Sequence, residues 1–460
     1  MTVPFMLPAL LADPQPASRP LVLTNARVFD GTGAEPEETD SVVVIDGRVT
    51  DTDPPHDATV IDLGGRFLMP GLIDCHTHLT IHAAPSQREG EEALRPGVVG
   101  HFVATSLRDA LRMGITTIRE TGAHGDTVFA VRQAIRYGAF LAPRLLVSGR
   151  LVSATSPQGR HFRDMYREAD GPDEMRKAAR EQIRAGADFV KIMTTGARSV
   201  EWENPDPAQM TREEVAAVVE EVHRLGYRVA AHCEGLEGTR LAIEEGVDTI
   251  EHGFYLHQEP ELLKKLARRR GVLVPTLTFL HDVAEHKAEQ WSAHLVERGA
   301  YNIAEAERTL KAAIEADVPI AMGWDGEPEA NAASELALMV KAGMTPADAL
   351  VSATSMAAYA LGLDNLIGTI GDGMLADLAV VDGDPLDDVA ILTQPDRIQL
   401  VVRSGHIAHA APELRSGRPP TWSQSPYGLP KDVLATKTSV GDATIPAAAV
   451  RVARANQAGE

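Results

Sequence analysis

A chain of 460 residues with 44% hydrophobic and 24% charged side chains has an ordinary globular composition, long enough for one large α/β domain or two. Its 65 acidic against 44 basic residues, a net charge of −21, argue against nucleic acid or an anionic membrane as the main partner. The two cysteines, Cys75 and Cys233, exclude a disulfide framework, and no run approaches the ~20 apolar residues of a membrane span, so a soluble protein of the reducing cytoplasm is expected.

Residues 1–20 read as an N-terminal arm. Met1 to Leu11 is apolar, but no Lys or Arg precedes Arg19, so the basic start of a secretory signal is missing. Short alternating strands follow in 21–66, with a turn at Asp46-Gly47-Arg48. From residue 71 to about 360 one theme repeats: a short apolar strand, a loop, an amphipathic helix. The strands are expected at 71–76, 115–119, 144–148, 187–193, 227–232, 247–252, 271–277 and 318–323, and helical patterns lie at 102–113, 172–185, 211–225, 236–245 and 301–316. Apolar strands alternating with helices predict a parallel sheet covered on both faces, and eight such units predict a (β/α)8 barrel over 67–364. A doubly wound open sheet competes, but no glycine-rich phosphate loop follows the first strand. Further strands appear in 365–410. Residues 411–460, rich in Ala, Pro, Ser and Thr without a clean period, read as an extension packed on the surface or on a neighbouring subunit of a homo-oligomer, or as disorder.

The unusual residues fall at the ends of these strands. His76 and His78 stand one residue apart after Gly71-Leu72-Ile73-Asp74-Cys75, and strand alternation points both the same way. Lys191 interrupts an apolar strand, His232 closes the fifth and His252 the sixth, and Asp325 follows the eighth in Gly323-Trp324-Asp325-Gly326. Each alone has an ordinary explanation: a core histidine, a snorkelling lysine, a helix N-cap. Together they put six potential ligands at the carboxyl ends of five strands, which a barrel brings to one mouth.

In this order and placement, His76-Thr77-His78, Lys191, His232, His252 and Asp325 resemble the metal-site pattern of the amidohydrolase superfamily. The phrases Ala231-His232-Cys233-Glu234-Gly235, Ile250-Glu251-His252-Gly253 and Gly368-Thr369-Ile370-Gly371-Asp372-Gly373 resemble its imidazolonepropionase-like and Xaa-Pro dipeptidase-like branch. The resemblance implies an α/β (β/α)8 TIM barrel with a small β-sandwich built from 21–66 and 365–410. It also implies two divalent cations, expected to be zinc, although ligand type alone also admits manganese, cobalt or iron. One would be held by His76, His78 and Asp325, the other by His232 and His252, with Lys191 carboxylated by CO2 as the bridging anion. Asp325 and Lys191 are then the catalytic residues: a bridging hydroxide attacks an amide, and Asp325 moves its proton to the leaving nitrogen.

Arg119, Arg198, His161 and Tyr255 stand in the loops or strand ends where a substrate carboxylate would be held. The expected substrate is a small molecule, a dipeptide or N-acyl amino acid losing its C-terminal amino acid. The alternatives are a mononuclear cyclic-amide hydrolase or deaminase and, more remotely, a scaffold without chemistry. Deaminases of the superfamily place a Glu three residues after the fifth-strand histidine, where this chain has Gly235, and a mononuclear site has no use for Lys191.

Overall fold

The computed structural model describes residues 7–11, 13, 19–81, 95–286, 288, 291–326 and 332–414; the extension expected at 411–460 lies almost wholly outside them, as does His82, which the sequence places near the histidine pair. Seven barrel strands run parallel: Leu72–Thr77, Ile115–Glu120, Arg144–Val147 resumed as Leu151–Ser153, Phe189–Met193, Arg228–Cys233, Thr249–His252 and Val272–Val274. The eighth, expected at 318–323, is reduced to isolated pairing. Ile320 bridges Leu273, Ala321 N donates to Leu273 O at 3.0 Å, and Cys75 N donates to Met322 O at 3.0 Å. Pro319 has no N–H to give the ladder, which explains the short run. These bonds still close the ring, because this segment touches both the seventh strand and the first.

Helices cover the outside. Pro172–Ala185 and Leu236–Glu245 fall where the periodicity places them, and each ends on a left-handed glycine, Gly186 or Gly246. Arg212–Arg224 starts at a capping box in which Thr211 and Glu214 bond each other's backbone N–H. Among the described residues no helix is long and apolar enough to cross a membrane.

The terminal segments form one seven-stranded mixed sheet. Leu21–Val28 lies between Glu37–Ile45 and Thr59–Pro70, and Thr59–Pro70 pairs antiparallel with Leu378–Val381, which continues to Ile398–Arg403 and His406–Ala410. Asp46 and Gly47 both take positive φ, as a tight hairpin turn into Arg48–Thr50 requires. Leu23, Leu63, Leu68, Leu400 and Val402 pack in the sheet's own apolar cluster.

At the amino end of the barrel strands the arm is held by charge. Ala9 N donates to Asp188 Oδ1 at 2.7 Å. Asp13 and Asp377 face Arg144 and Arg403 in a buried knot: Arg144 reaches Asp13 and Asp377 at 2.7 Å each, and Arg403 reaches Asp13 at 2.5 Å and Asp377 at 3.4 Å. The knot joins the arm, the third barrel strand and the mixed sheet. Removing one member of a buried charge group leaves its partners uncompensated, which typically costs about 3–5 kcal/mol. Asp377→Ala should therefore lower the urea midpoint by that equivalent, whereas Asp382→Ala, at a half-exposed pair with Arg397, should move it by under about 1 kcal/mol.

Candidate metal centre

At the carboxyl ends of the strands the sequence-predicted ligands come together. Asp325 Oδ1 lies 3.1 Å from His76 Nε2 and 3.3 Å from His78 Nε2. His252 Nε2 lies 2.9 Å from His232 Nδ1. The groups His76, His78, Asp325 and His232, Glu234, His252 each bring ligand atoms within 4.8 Å of one another.

In all four rings the other nitrogen is already engaged. His76 Nδ1 donates to Glu251 Oε2 at 2.7 Å, His78 Nδ1 to Gly122 O at 2.9 Å and His232 Nε2 to Gly196 O at 3.0 Å. His252 Nδ1 meets Thr276 Oγ1 at 2.7 Å. A carbonyl or carboxylate can only accept, so the proton of the first three rings sits on the outer nitrogen and a lone pair points inward. That is the tautomer a metal ligand needs.

Lys191 completes the arrangement. It is 1% exposed, its Nζ has no hydrogen-bond partner among the described residues, and burial pushes the ammonium down to about 8. A buried amine left bare is costly, so its position invites a partner from outside the chain. The two donor sets fit the binding of divalent metal.

Local backbone geometry sets these atoms. His252 (φ 71°) and Asp325 (φ 63°) both sit in the left-handed region, and Asp325 N donates to His76 O at 2.7 Å. Asp74 Oδ1 accepts from the N–H groups of His76 and Trp324, tying the histidine strand to the aspartate turn. At Gly323 a Cβ would come within 2.8 Å of His76 Cβ, so only glycine lets the eighth segment pass this close.

The expected substrate-binding side chains divide. His161 lines the adjoining cavity of about 410 Å³, and its Nε2 is buried without a partner among the described residues. Arg119 corrects the expectation: it is 3% exposed beneath the site, donating to Cys75 O, Thr249 Oγ1 and Glu251 Oε1, so it orients Glu251 and cannot clamp a substrate. Arg198 and Tyr255 also stand outside the cavity wall. The Arg198 guanidinium lies 5.1 Å over the Tyr255 ring and bonds Asp206 and Glu234 O, while Tyr255 donates to Asn302 Oδ1 at 2.9 Å. Arg198 Nη2 and the Tyr255 hydroxyl thus donate to the protein itself.

Three side chains at the site were not singled out in the sequence. Glu251 is fully buried; burial would raise its carboxyl, but Arg119 and Lys191 hold it well below the usual range, so it is an anion at the back of His76. Its signal was a charge in an otherwise apolar strand, as for Lys191. Glu234 and Tyr166 line the cavity; Glu234 stands two residues after His232 in the quoted fifth-strand phrase, and nothing in its spacing marks Tyr166.

Residues 67–408 match the amidohydrolase family. The chain belongs to this family. It is 30% identical over 368 residues to ochratoxinase of Aspergillus niger, covering 74% of this chain and 75% of the relative. It is 31% identical over 391 residues to imidazolonepropionase of Paracoccus denitrificans, covering 75% of this chain and 88% of the relative. Among solved structures, a Xaa-Pro dipeptidase with methionine bound in its active site superposes with a TM-score of 0.77 at 25% identity, over 85% of this chain and all (100%) of the other. This amidohydrolase is therefore a hydrolase of carbon–nitrogen bonds on a TIM barrel.

Outer partners of metal-binding histidines are typically worth 10- to 100-fold in metal affinity. Glu251→Gln should weaken zinc retention by about that factor in competition with a chromogenic chelator. Glu237→Gln, on the outer helix Leu236–Glu245, should leave it unchanged.

Proposed function

We propose that this amidohydrolase is binuclear and releases a C-terminal amino acid from a dipeptide or N-acyl amino acid. The observation that carries the reading is Lys191: a buried amine without a hydrogen-bond partner among the described residues, beside two clusters of potential ligand atoms. His76, His78 and Asp325 would hold one cation, His232 and His252 the other, and carboxylated Lys191 would belong to both; zinc suits these nitrogen and oxygen donors. Bound cations supply Lewis-acid polarisation of the scissile carbonyl and acidify the attacking water.

The chain's own groups do the rest. Asp325 accepts the proton of the attacking water and returns it to the leaving nitrogen, general acid–base work by one carboxylate. Glu251, pinned by Arg119, keeps the His76 proton on Nδ1 and its lone pair toward the cation. His161, whose Nε2 has no partner among the described residues, hydrogen-bonds the substrate carboxylate from the cavity wall. The structural neighbour with methionine in its active site supports an amino acid product. A mononuclear deaminase or lactamase would leave the buried amine of Lys191 without a use.

Protein prepared with zinc and bicarbonate should contain about two metal ions per chain by elemental analysis, and one or none would defeat the binuclear reading. Lys191→Ala should abolish amide hydrolysis, with partial recovery on adding short carboxylic acids. Asp325→Asn should stay folded by circular dichroism while kcat falls at least 10²- to 10⁴-fold, the usual share of general acid–base help. On the substrate side, amidating the α-carboxylate should cut kcat/KM by tenfold or more, and His161→Ala should remove most of that difference. Equal efficiency on free-acid and amidated substrates would move the reading to neutral amides, with the ligand set unchanged.

A further inference from the structure

The chain is poor in aromatic residues, at 5% overall, yet one cavity collects them. Phe162, Tyr166, Trp202, Phe279 and Trp291 all line it with His161, and two of the protein's four tryptophans are among them. Trp202 is 60% exposed, an unusual position for a large apolar ring. Apart from Lys191 at the metal centre, no lysine or arginine lines this cavity among the described residues. Beyond the metal centre, binding there must come from ring surfaces and a few neutral or acidic polar groups.

The two tryptophans come from loops far apart in sequence but joined by direct contacts. Ser292 Oγ donates to Glu201 Oε1 at 2.8 Å, so each tryptophan is the chain neighbour of one partner in a hydrogen bond. Ser292 Oγ also accepts from Leu295 N at the start of the helix Ala293–Glu315. From the same helix, Arg298 Nη1 donates to Arg198 O at 2.9 Å and Val200 O at 3.2 Å, holding the loop that carries Trp202. Each indole is braced by one edge-to-face contact: His161 on Trp202 with centroids 5.2 Å apart, and Phe279 on Trp291 at 6.1 Å. Such bracing fixes the rings before anything binds, which spares a ligand the ordering cost.

We infer that Trp202 and Trp291 form an aryl-binding rim, held by Ser292 and Arg298, and that the acyl group of the substrate is an aromatic ring system. The inference rests on the amide-hydrolase reading and adds to it the chemistry of the acyl side. A cavity of about 410 Å³ suits a molecule of drug size, and a group as small as acetyl would leave both indoles without a partner. Trp202 and Trp291 are then specificity residues, and Arg298 and Ser292 positioning residues.

The test compares N-(2-naphthoyl)-L-leucine with N-acetyl-L-leucine, which share a leaving amino acid. The full-length zinc-loaded enzyme should favour the naphthoyl substrate at least tenfold in kcat/KM. Trp202→Ala and Trp291→Ala should each cut that ratio about 2- to 12-fold, chiefly through KM, the span expected for losing one aromatic contact. Trp202→Phe should recover most of the ratio. An independent arm titrates the same protein with 2-naphthoate and reads tryptophan fluorescence: saturable quenching is expected, weakened in both alanine variants and absent with acetate. Equal efficiency on the two substrates, or a naphthoyl preference unaltered in both variants, overturns the inference. Saturable quenching by naphthoate without hydrolysis of either amide keeps the rim and removes the reaction assigned to the site.

Discussion

One buried amine constrains everything around it. Lys191 lies in the middle of a barrel strand with no hydrogen-bond partner among the described residues, and Glu251, an anion whose charge it feels, is already committed to Arg119 and His76. A lysine placed there for packing would be a poor choice, since an apolar residue of similar volume avoids the cost of desolvating nitrogen. The chain keeps the lysine, together with four histidines whose outer nitrogens are held by the protein and whose inner ones face one another and Asp325. Under the binuclear reading proposed above those two facts explain each other, since the amine would become an anion shared between cations.

Much of this centre was legible in the sequence because its parts sit on strands or just past their ends. A strand's alternation fixes where His76 and His78 point, and a charged or ligating residue at a strand end stands out against an apolar run. The parallel strands themselves were legible for the same reason, except where Pro319 thins the eighth to isolated bridges. Glu251 shows the limit of that reasoning. It breaks an apolar strand as Lys191 does, but beside a ligating histidine its carboxylate has no spacing signal of its own. Arg119 was misplaced because a strand-end arginine reads alike whether it points up into the mouth or down under it, and only the partners Thr249 and Glu251 decide.

The aromatic rim was not legible at all. Trp202 and Trp291 have no shared period and no motif; they meet through a serine hydroxyl and an arginine on a helix of 23 residues. Loop contacts of this kind depend on where the barrel sets down each loop, which the local sequence does not encode. The same holds for the knot of Asp13, Arg144, Asp377 and Arg403, whose members come from three distant segments.

The two ends of the barrel divide the work. At the amino ends of the strands, paired charges and the apolar arm residues give stability and meet no substrate. At the carboxyl ends, the backbone holds His252 and Asp325 in the left-handed region, a conformation costing of order 1–3 kcal/mol for a side-chain-bearing residue. Such strain persists only where surrounding bonds over-determine it, and here they do: Asp325 N is fixed to His76 O, His78 N to Gly326 O and Gly253 N to Cys233 O. Each of these bonds ties a strained turn to a strand that carries a ligand. The positions of the metal-facing atoms are therefore set by the barrel's backbone, while what the enzyme accepts as substrate is left to loops that can vary without disturbing them.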